Sequence, residues 1–190
     1  HRLKKYDIIY ADPPWQYRTY SKKGQGRSAE SHYPTMGIED IKALPVGELA
    51  AKDCALFMWI TFPCMQEALQ VLEAWGFEYK TVAFVWDKQV HNPGRYTLSQ
   101  TEFVLAFKKG RFPTPRGARN IRQLVSVHRG KHSEKPEIVI DGITKMFPTQ
   151  RKIELFARKN FVGWDNWGLE IPERKIEILS QEEIDKKIES

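Results

Sequence analysis

Apolar residues in this chain fall in short runs, separated by polar stretches marked with glycine and proline. The first run, Ile8 to Ala11, reads as a buried strand that stops at Asp12-Pro13-Pro14-Trp15. Proline lacks an N–H and fixes φ, so a strand cannot run on through Pro13 and Pro14. Asp12 and Trp15 are therefore expected on a stiff turn past a strand's carboxyl end, where ligands bind in open α/β sheets.

Similar runs recur downstream. Cys54 to Ile60 is apolar without alternation, as a parallel strand buried on both faces should be. Phe77 to Trp86, Thr101 to Phe107, Gln123 to Val127 and Arg151 to Arg158 read as further strands. Between them lie helical patterns. Gly37 to Asp53 reads as a short helix broken near Pro45, followed by a second turn. Pro63 opens a helix with Met65, Ala68, Leu69, Leu72 and Trp75 on one stripe, closed by Gly76. Pro136 starts another, with Val139, Ile143, Met146 and Phe147 on one face and Pro148 at its end. Residues 16–36 are polar and read as a flap, Asp87 to Ser99 as a loop, and 171–190 as a charged helical tail. Strands alternating with helices predict an α/β fold: a mostly parallel sheet in a three-layer sandwich. No G-x-G-x-x-G dinucleotide fingerprint and no P-loop follows any strand.

Composition narrows the class. At 190 residues, with 41% hydrophobic and 12% aromatic residues, the chain can bury a core and is not disordered throughout. No apolar run approaches the roughly 20 residues of a membrane span, and His1 to Lys5 is no signal peptide, so a cytoplasmic protein with no membrane partner is expected. Cys54 and Cys64 sit in or beside apolar runs and suggest no disulfide framework. His128-x-x-x-His132 is too sparse to imply a metal, and none is expected.

The +6 formal charge is unevenly spread. Phe103 to Ser133 contains no acid but holds Lys108, Lys109, Arg111, Arg116, Arg119, Arg122, Arg129 and Lys131, a local charge of +8. Such a basic region, 108–131, suits phosphate neutralisation and implies a nucleic-acid partner, the alternative being an ordinary solvated surface.

The turn at Asp12 carries its own chemistry. A carboxylate and proline carbonyls converging on one NH₂ group, beside an indole face, suit the amine of a planar heterocycle. Accepting its hydrogens places negative potential at nitrogen and draws its lone pair out of conjugation. Each such contact contributes on the order of 3 kcal/mol to catalysis. The alternative is a turn with a buried Trp and a capping Asp.

Further motifs follow in order: His32-Tyr33-Pro34-Thr35-Met36, Phe57-Met58-Trp59, Trp86-x-Lys88, Thr101-Glu102 and His132-Ser133-x-Lys135-Pro136-x-Ile138. Ile153-Glu154-Leu155-Phe156-Ala157-Arg158 and Gly163-Trp164-Asp165-x-Trp167-Gly168 complete the set. Over roughly Tyr6 to Glu170 the chain resembles the adenine-N6 methyltransferases with an Asp-Pro-Pro-Trp motif. That family includes the catalytic subunit of the eukaryotic messenger-RNA N6-adenine methylation complex, and the likeness is greater to short bacterial and phage members.

The resemblance implies a permuted, Rossmann-like fold dependent on S-adenosylmethionine, occupying residues 1–170, with the catalytic motif ahead of the main cofactor-binding segments. It implies methyl transfer to adenine N6 in nucleic acid, DNA favoured over RNA, with Asp12, Pro13, Pro14 and Trp15 as catalytic residues and the base stacked on Trp15. Lys135, Arg158, Asn160 and Glu170 are implied for the cofactor. Tyr17, Tyr33 and Glu102 are the candidates for substrate, with Lys108, Lys109, Arg111, Arg116, Arg119 and Arg122 from the basic region. Where relatives commonly read Trp-Gly-Asn-Glu, this chain has Leu169 for the asparagine. That departure keeps a second class open, a catalytically weak nucleic-acid-binding partner subunit. A small-molecule amine methyltransferase is a third class, and it leaves the basic region without a purpose. A homodimer or a heteromeric partner is compatible with either of the first two.

Overall fold

The computed structural model describes residues 4–15, 36–130 and 134–168. The flap residues Tyr17, Tyr20 and Tyr33, the tail, and Lys131, His132, Leu169 and Glu170 lie outside the described residues.

The elements run β1 (Tyr6–Ala11), α1 (Ile38–Ala43), α2 (Val46–Leu49) and β2 (Ala50–Ile60), then α3 (Met65–Ala74), β3 (Glu78–Pro93), β4 (Leu98–Lys109) and β5 (Leu124–Ser126). α4 (Glu137–Met146), β6 (Lys152–Leu155) and β7 (Trp164–Trp167) follow. The strands form one sheet in the order β5-β3-β4-β2-β1-β6-β7. Every neighbouring pair is parallel except those made by β4, which is antiparallel to both β2 and β3.

Two apolar layers sandwich the sheet, as alternation of side chains across a strand requires. Ile9, Ala11, Leu56 and Met58 meet Ile41, Ala68, Val71 and Leu72 on one face. Ile8, Tyr10, Phe57 and Trp59 meet Val139, Ile140 and Ile143 of α4 on the other. With helices on both faces, the three-layer α/β expectation holds.

Local differences from the pattern have physical causes. Leu69 is 41% exposed, and Val71 takes its place in the core, because α3 is turned so that Ala68, Val71 and Leu72 face the sheet. Gly76 closes α3 as expected: its φ is +81°, with Phe77 N–H donating to Leu72 O and Gly76 N–H to Glu73 O, the paired bonds of a Schellman cap. β2 starts at Ala50, earlier than the run from Cys54, because buried Ala50 already pairs with Tyr6, and the exposed Lys52 and Asp53 fall in the register shift that follows.

The stretch Asp87 to Ser99 is not a loop. β3 and β4 continue as a two-stranded arm to Pro93 and Leu98, and only the tip turns, where Gly94 N–H donates to Thr97 O. β6 ends at Leu155 rather than Arg158 because Phe156 has φ +59°, a left-handed conformation that breaks the ladder. β7 is a strand with no strand expectation behind it.

Candidate active site

β1 is central, flanked by β2 and β6, with Ala11 level with Met58 and Leu155. Asp12 follows directly, so its carboxyl stands at the carboxyl ends of three parallel strands. The prolines fix what comes next. Pro13 O accepts from Trp15 N–H at 2.9 Å, and Pro14 O accepts from Met36 N–H at 3.1 Å, tying the turn to the segment before α1. Each carbonyl keeps a second lone pair. Trp15 does not lie open as a platform: its ring is 5% exposed and packs in the same apolar cluster as Ile41. Its Nε1 has no hydrogen-bond partner among the described residues.

A cleft lies beside Asp12, lined by Tyr10, Lys135, Ile140, Glu154, Phe156 and Arg158 among others. The cleft lies on the α4 face. Pro136 caps α4, so Lys135 precedes the helix's free N–H groups, where an anion is favoured.

Lys135 Nζ donates to Glu102 Oε1 at 2.8 Å and stands 5.3 Å from the Trp59 ring centroid. Lys88 Nζ lies 3.6 Å from the other Glu102 oxygen. Burial alone would push the Glu102 carboxyl up, but Lys135 and then Lys88 hold it below its ordinary value. Behind these groups, Trp59 Nε1 donates to the Tyr10 hydroxyl, and the Trp59 and Trp86 rings meet edge to face at 5.8 Å.

Asp12 and Glu154, two of the carboxyls that line the cleft, are electrostatically coupled. Burial pushes Asp12 above its ordinary value, opposed by Lys135, reinforced by Glu102 and opposed again by Arg158. Glu154, opposite Tyr10 on β6, is pushed up to about 8, first by burial and then by the Asp12 charge. At neutral pH Glu154 therefore holds a proton, and less negative charge faces Asp12.

The left-handed turn at Phe156 swings the chain so that Arg158 lines the cleft three residues beyond β6. For a bulky residue that conformation costs on the order of 1–3 kcal/mol and recurs at ligand sites. Gly168 closes the arrangement, because a Cβ there would stand 2.1 Å from Ala157 O. Asn160 is exposed and outside the cleft wall, where its Oδ1 accepts from Asn166 of β7.

The structure thus brings Asp12, Glu102, Lys135 and Arg158 to one end of the sheet. It does not bring the first basic residues there. Lys108 and Lys109 lie level with Ala55 and Cys54, near the amino end of β2, and Lys109 Nζ donates to Gly47 O. Arg111 follows them, its N–H bound to Asp53, and Arg116 donates to Thr149. Arg119 donates to Pro115 O, and Arg122 is exposed just ahead of β5. Sequence reasoning left Tyr10 and the cleft role of Glu154 unassigned. A polar side chain within an apolar strand that ends beside Asp12 was the available signal for Glu154.

Among the described residues no group of three or more His, Cys, Asp or Glu could hold a metal ion, and no helix is long and apolar enough to cross a membrane.

The donor set fits S-adenosylmethionine. Its amino-acid carboxylate suits Lys135 and the α4 N-terminus, and its positively charged amine and sulfonium suit a cleft holding the Asp12 carboxyl.

Residues 6–170 match the MT-A70 family. The type II methyltransferase M.MunI of Mycoplasma sp is 62% identical, the match covering 96% of this chain and 84% of that protein. The N(6)-adenine-specific methyltransferase METTL4 of Mus musculus is 27% identical over 88% of this chain and 38% of its own length. The human N(6)-adenosine-methyltransferase catalytic subunit METTL3 is also 27% identical, over 87% of this chain and 27% of its own.

Proposed function

The chain belongs to the MT-A70 family, and from that premise we propose that it is a methyltransferase using S-adenosylmethionine to methylate the N6 amine of adenine in DNA. The observation that carries this reading is Asp12 at the carboxyl end of the central strand, in one cleft with Lys135 and Arg158. DNA is favoured over RNA on the 62% identity to a type II methyltransferase, a class that modifies DNA.

S-adenosylmethionine, when bound, supplies an electrophilic methyl group on sulfonium. Lys135, held by Glu102, and the α4 N-terminus would hold its carboxylate, with Arg158 towards its ribose end. Asp12 accepts a hydrogen bond from the adenine amine, and the Pro13 carbonyl offers a second acceptor on its remaining lone pair. Together they orient the amine and raise electron density at nitrogen, so the chain contributes position and electrostatics rather than a covalent intermediate. Asp12 also takes the proton that nitrogen must release after methylation, and the proton already on Glu154 keeps a second full charge away from it. Trp15, packed into the core, fixes the turn that presents Asp12. The adenine enters from a single strand or flipped from a duplex, the latter at a few kcal/mol.

The test is transfer of labelled methyl groups to a panel of DNA and RNA oligonucleotides. Label in adenine-containing DNA is expected; label confined to RNA overturns the choice of DNA, and no label in either overturns the activity.

A further inference from the structure

We propose that the β3–β4 arm is a DNA-reading ribbon that enters the major groove beside the target adenine. The proposal rests on the adenine-methylating function above and assigns the arm a part in it.

The arm stands at the right end of the molecule. Pairing of β2 with β4 stops at Ile60 opposite Phe103, and β1 stops at Ala11. Pairing of β3 with β4 goes on through Asp87–Thr101 and Asn92–Ser99 to Pro93–Leu98. β3 runs in the same sense as β2, so residues 87–101 project past the sheet on the Asp12 side. At roughly 3.3 Å per residue the projection is about 20 Å long. A B-DNA major groove about 12 Å wide admits a two-stranded ribbon of this kind.

Its surface suits a polyanion. From Lys88 to Thr101 there is no acid, while His91 and Arg95 lie within it and are exposed. Residues 127–130 add His128 and Arg129 along its root, where Arg129 N–H donates to Lys88 O at 3.0 Å. The acids at the root are engaged: Asp87 accepts from Gln100 and from Gln89 N–H, and Glu102 is held by Lys135 and Lys88. Arg95 is exposed and Tyr96 at the tip is 95% exposed, so both side chains are open to a ligand lying on the arm. Gln89, with φ +58°, lies where the register shifts between Asp87 and Asn92, and such bulges re-aim a ribbon.

The arm is also wired to the cleft. Glu102, at its root, is the carboxylate that holds Lys135 in the cleft wall. DNA lying on the arm is thereby registered against the site where one adenine is taken. By contrast, Lys109, Arg116 and Arg119 spend their donors within the fold away from this arm.

The test uses the whole protein and the variants Arg95→Ala, Tyr96→Ala and Arg95→Ala/Arg129→Ala. Affinity for a duplex carrying the methylated site is read by fluorescence anisotropy across salt concentrations. Cofactor affinity is read by calorimetry, and mass by sedimentation. The double variant is expected to weaken duplex binding by about tenfold or more and to reduce the salt slope by roughly 0.9 for each phosphate no longer neutralised. Cofactor affinity should be unchanged. Duplex affinity and salt slope equal to wild type overturn the assignment. So does a change from dimer to monomer in Tyr96→Ala with duplex affinity retained, which would make the arm a contact between copies. Wild-type protein that methylates no oligonucleotide overturns the functional reading itself, and is distinguished by failing before any variant is compared.

Discussion

Lys135 and Glu102, 33 positions apart, meet at 2.8 Å beside the cleft, with their side chains 17% and 11% exposed. Glu102 sits at the root of β4's projecting half and Lys135 just ahead of α4, so the pair fastens the arm to the cleft wall. Lys88 on the second Glu102 oxygen makes a group of one acid and two cations.

Removing that acid leaves two largely buried ammonium groups facing each other. Glu102→Gln is expected to lower stability by about 2–3 kcal/mol, since breaking a buried pair from one side strands the remaining charge. For a chain of this size that corresponds to a melting temperature lower by roughly 4–12 °C. Thermal unfolding followed by circular dichroism checks it; an unchanged midpoint would mean the cations are solvated without Glu102.

Lys135→Ala should act on the cofactor rather than on the target base. The expected result is an S-adenosylmethionine dissociation constant raised by about tenfold, equivalent to about 1.4 kcal/mol. Calorimetry with and without the substitution decides it, and equal affinities would remove Lys135 from the cofactor site.

Glu154 gives a pH dependence of definite sign. Its carboxyl titrates near 8 in the folded chain and near 4.5 when unfolded, so between those values the folded state keeps a proton that the unfolded state has lost. Its contribution to stability is therefore complete below about 4.5 and disappears as pH rises through about 8. Glu154→Gln should flatten that fall by about 4 kcal/mol between pH 5 and 8.5. Urea unfolding at both pH values measures it, and equal slopes for the two proteins would contradict the burial of this carboxyl beside Asp12.

Gly168→Ala places a methyl group where Ala157 O stands 2.1 Å away and Ala157 N 2.6 Å away. Backbone on both sides cannot yield cheaply, so the Ala157–Arg158 segment must move. A lower melting temperature together with weaker cofactor binding is expected. Weakened folding with cofactor affinity intact would show that Arg158 is not held through this contact.

What the sequence revealed depended on whether a local rule carried the information. Asp12 at a strand end was legible because Pro13 and Pro14 forbid continuation, and Lys135 at a helix start because Pro136 marks one. The projecting arm was hidden because Gly94 and Pro93 marked a turn without showing that strands ran up to it. The end of β6 was hidden because nothing in the residue type of Phe156 announces a φ of +59°. The basic region misled as a spatial patch for a topological reason. Its residues are neighbours in sequence, but the chain climbs from the Lys109 end of the sheet, beside Cys54, to the Arg129 end, beside Lys88. The ion pair of Glu102 with Lys135 joins two separate motifs, and only the fold supplies that distance.

The most direct measurement is nucleoside mass spectrometry of DNA methylated by the wild-type chain and by Asp12→Ala, with circular dichroism to show that both are folded. N6-methyldeoxyadenosine from the wild type and none above background from Asp12→Ala is the expected result. A methyl group on another base or another nitrogen, or near-wild-type turnover by folded Asp12→Ala, would contradict the account.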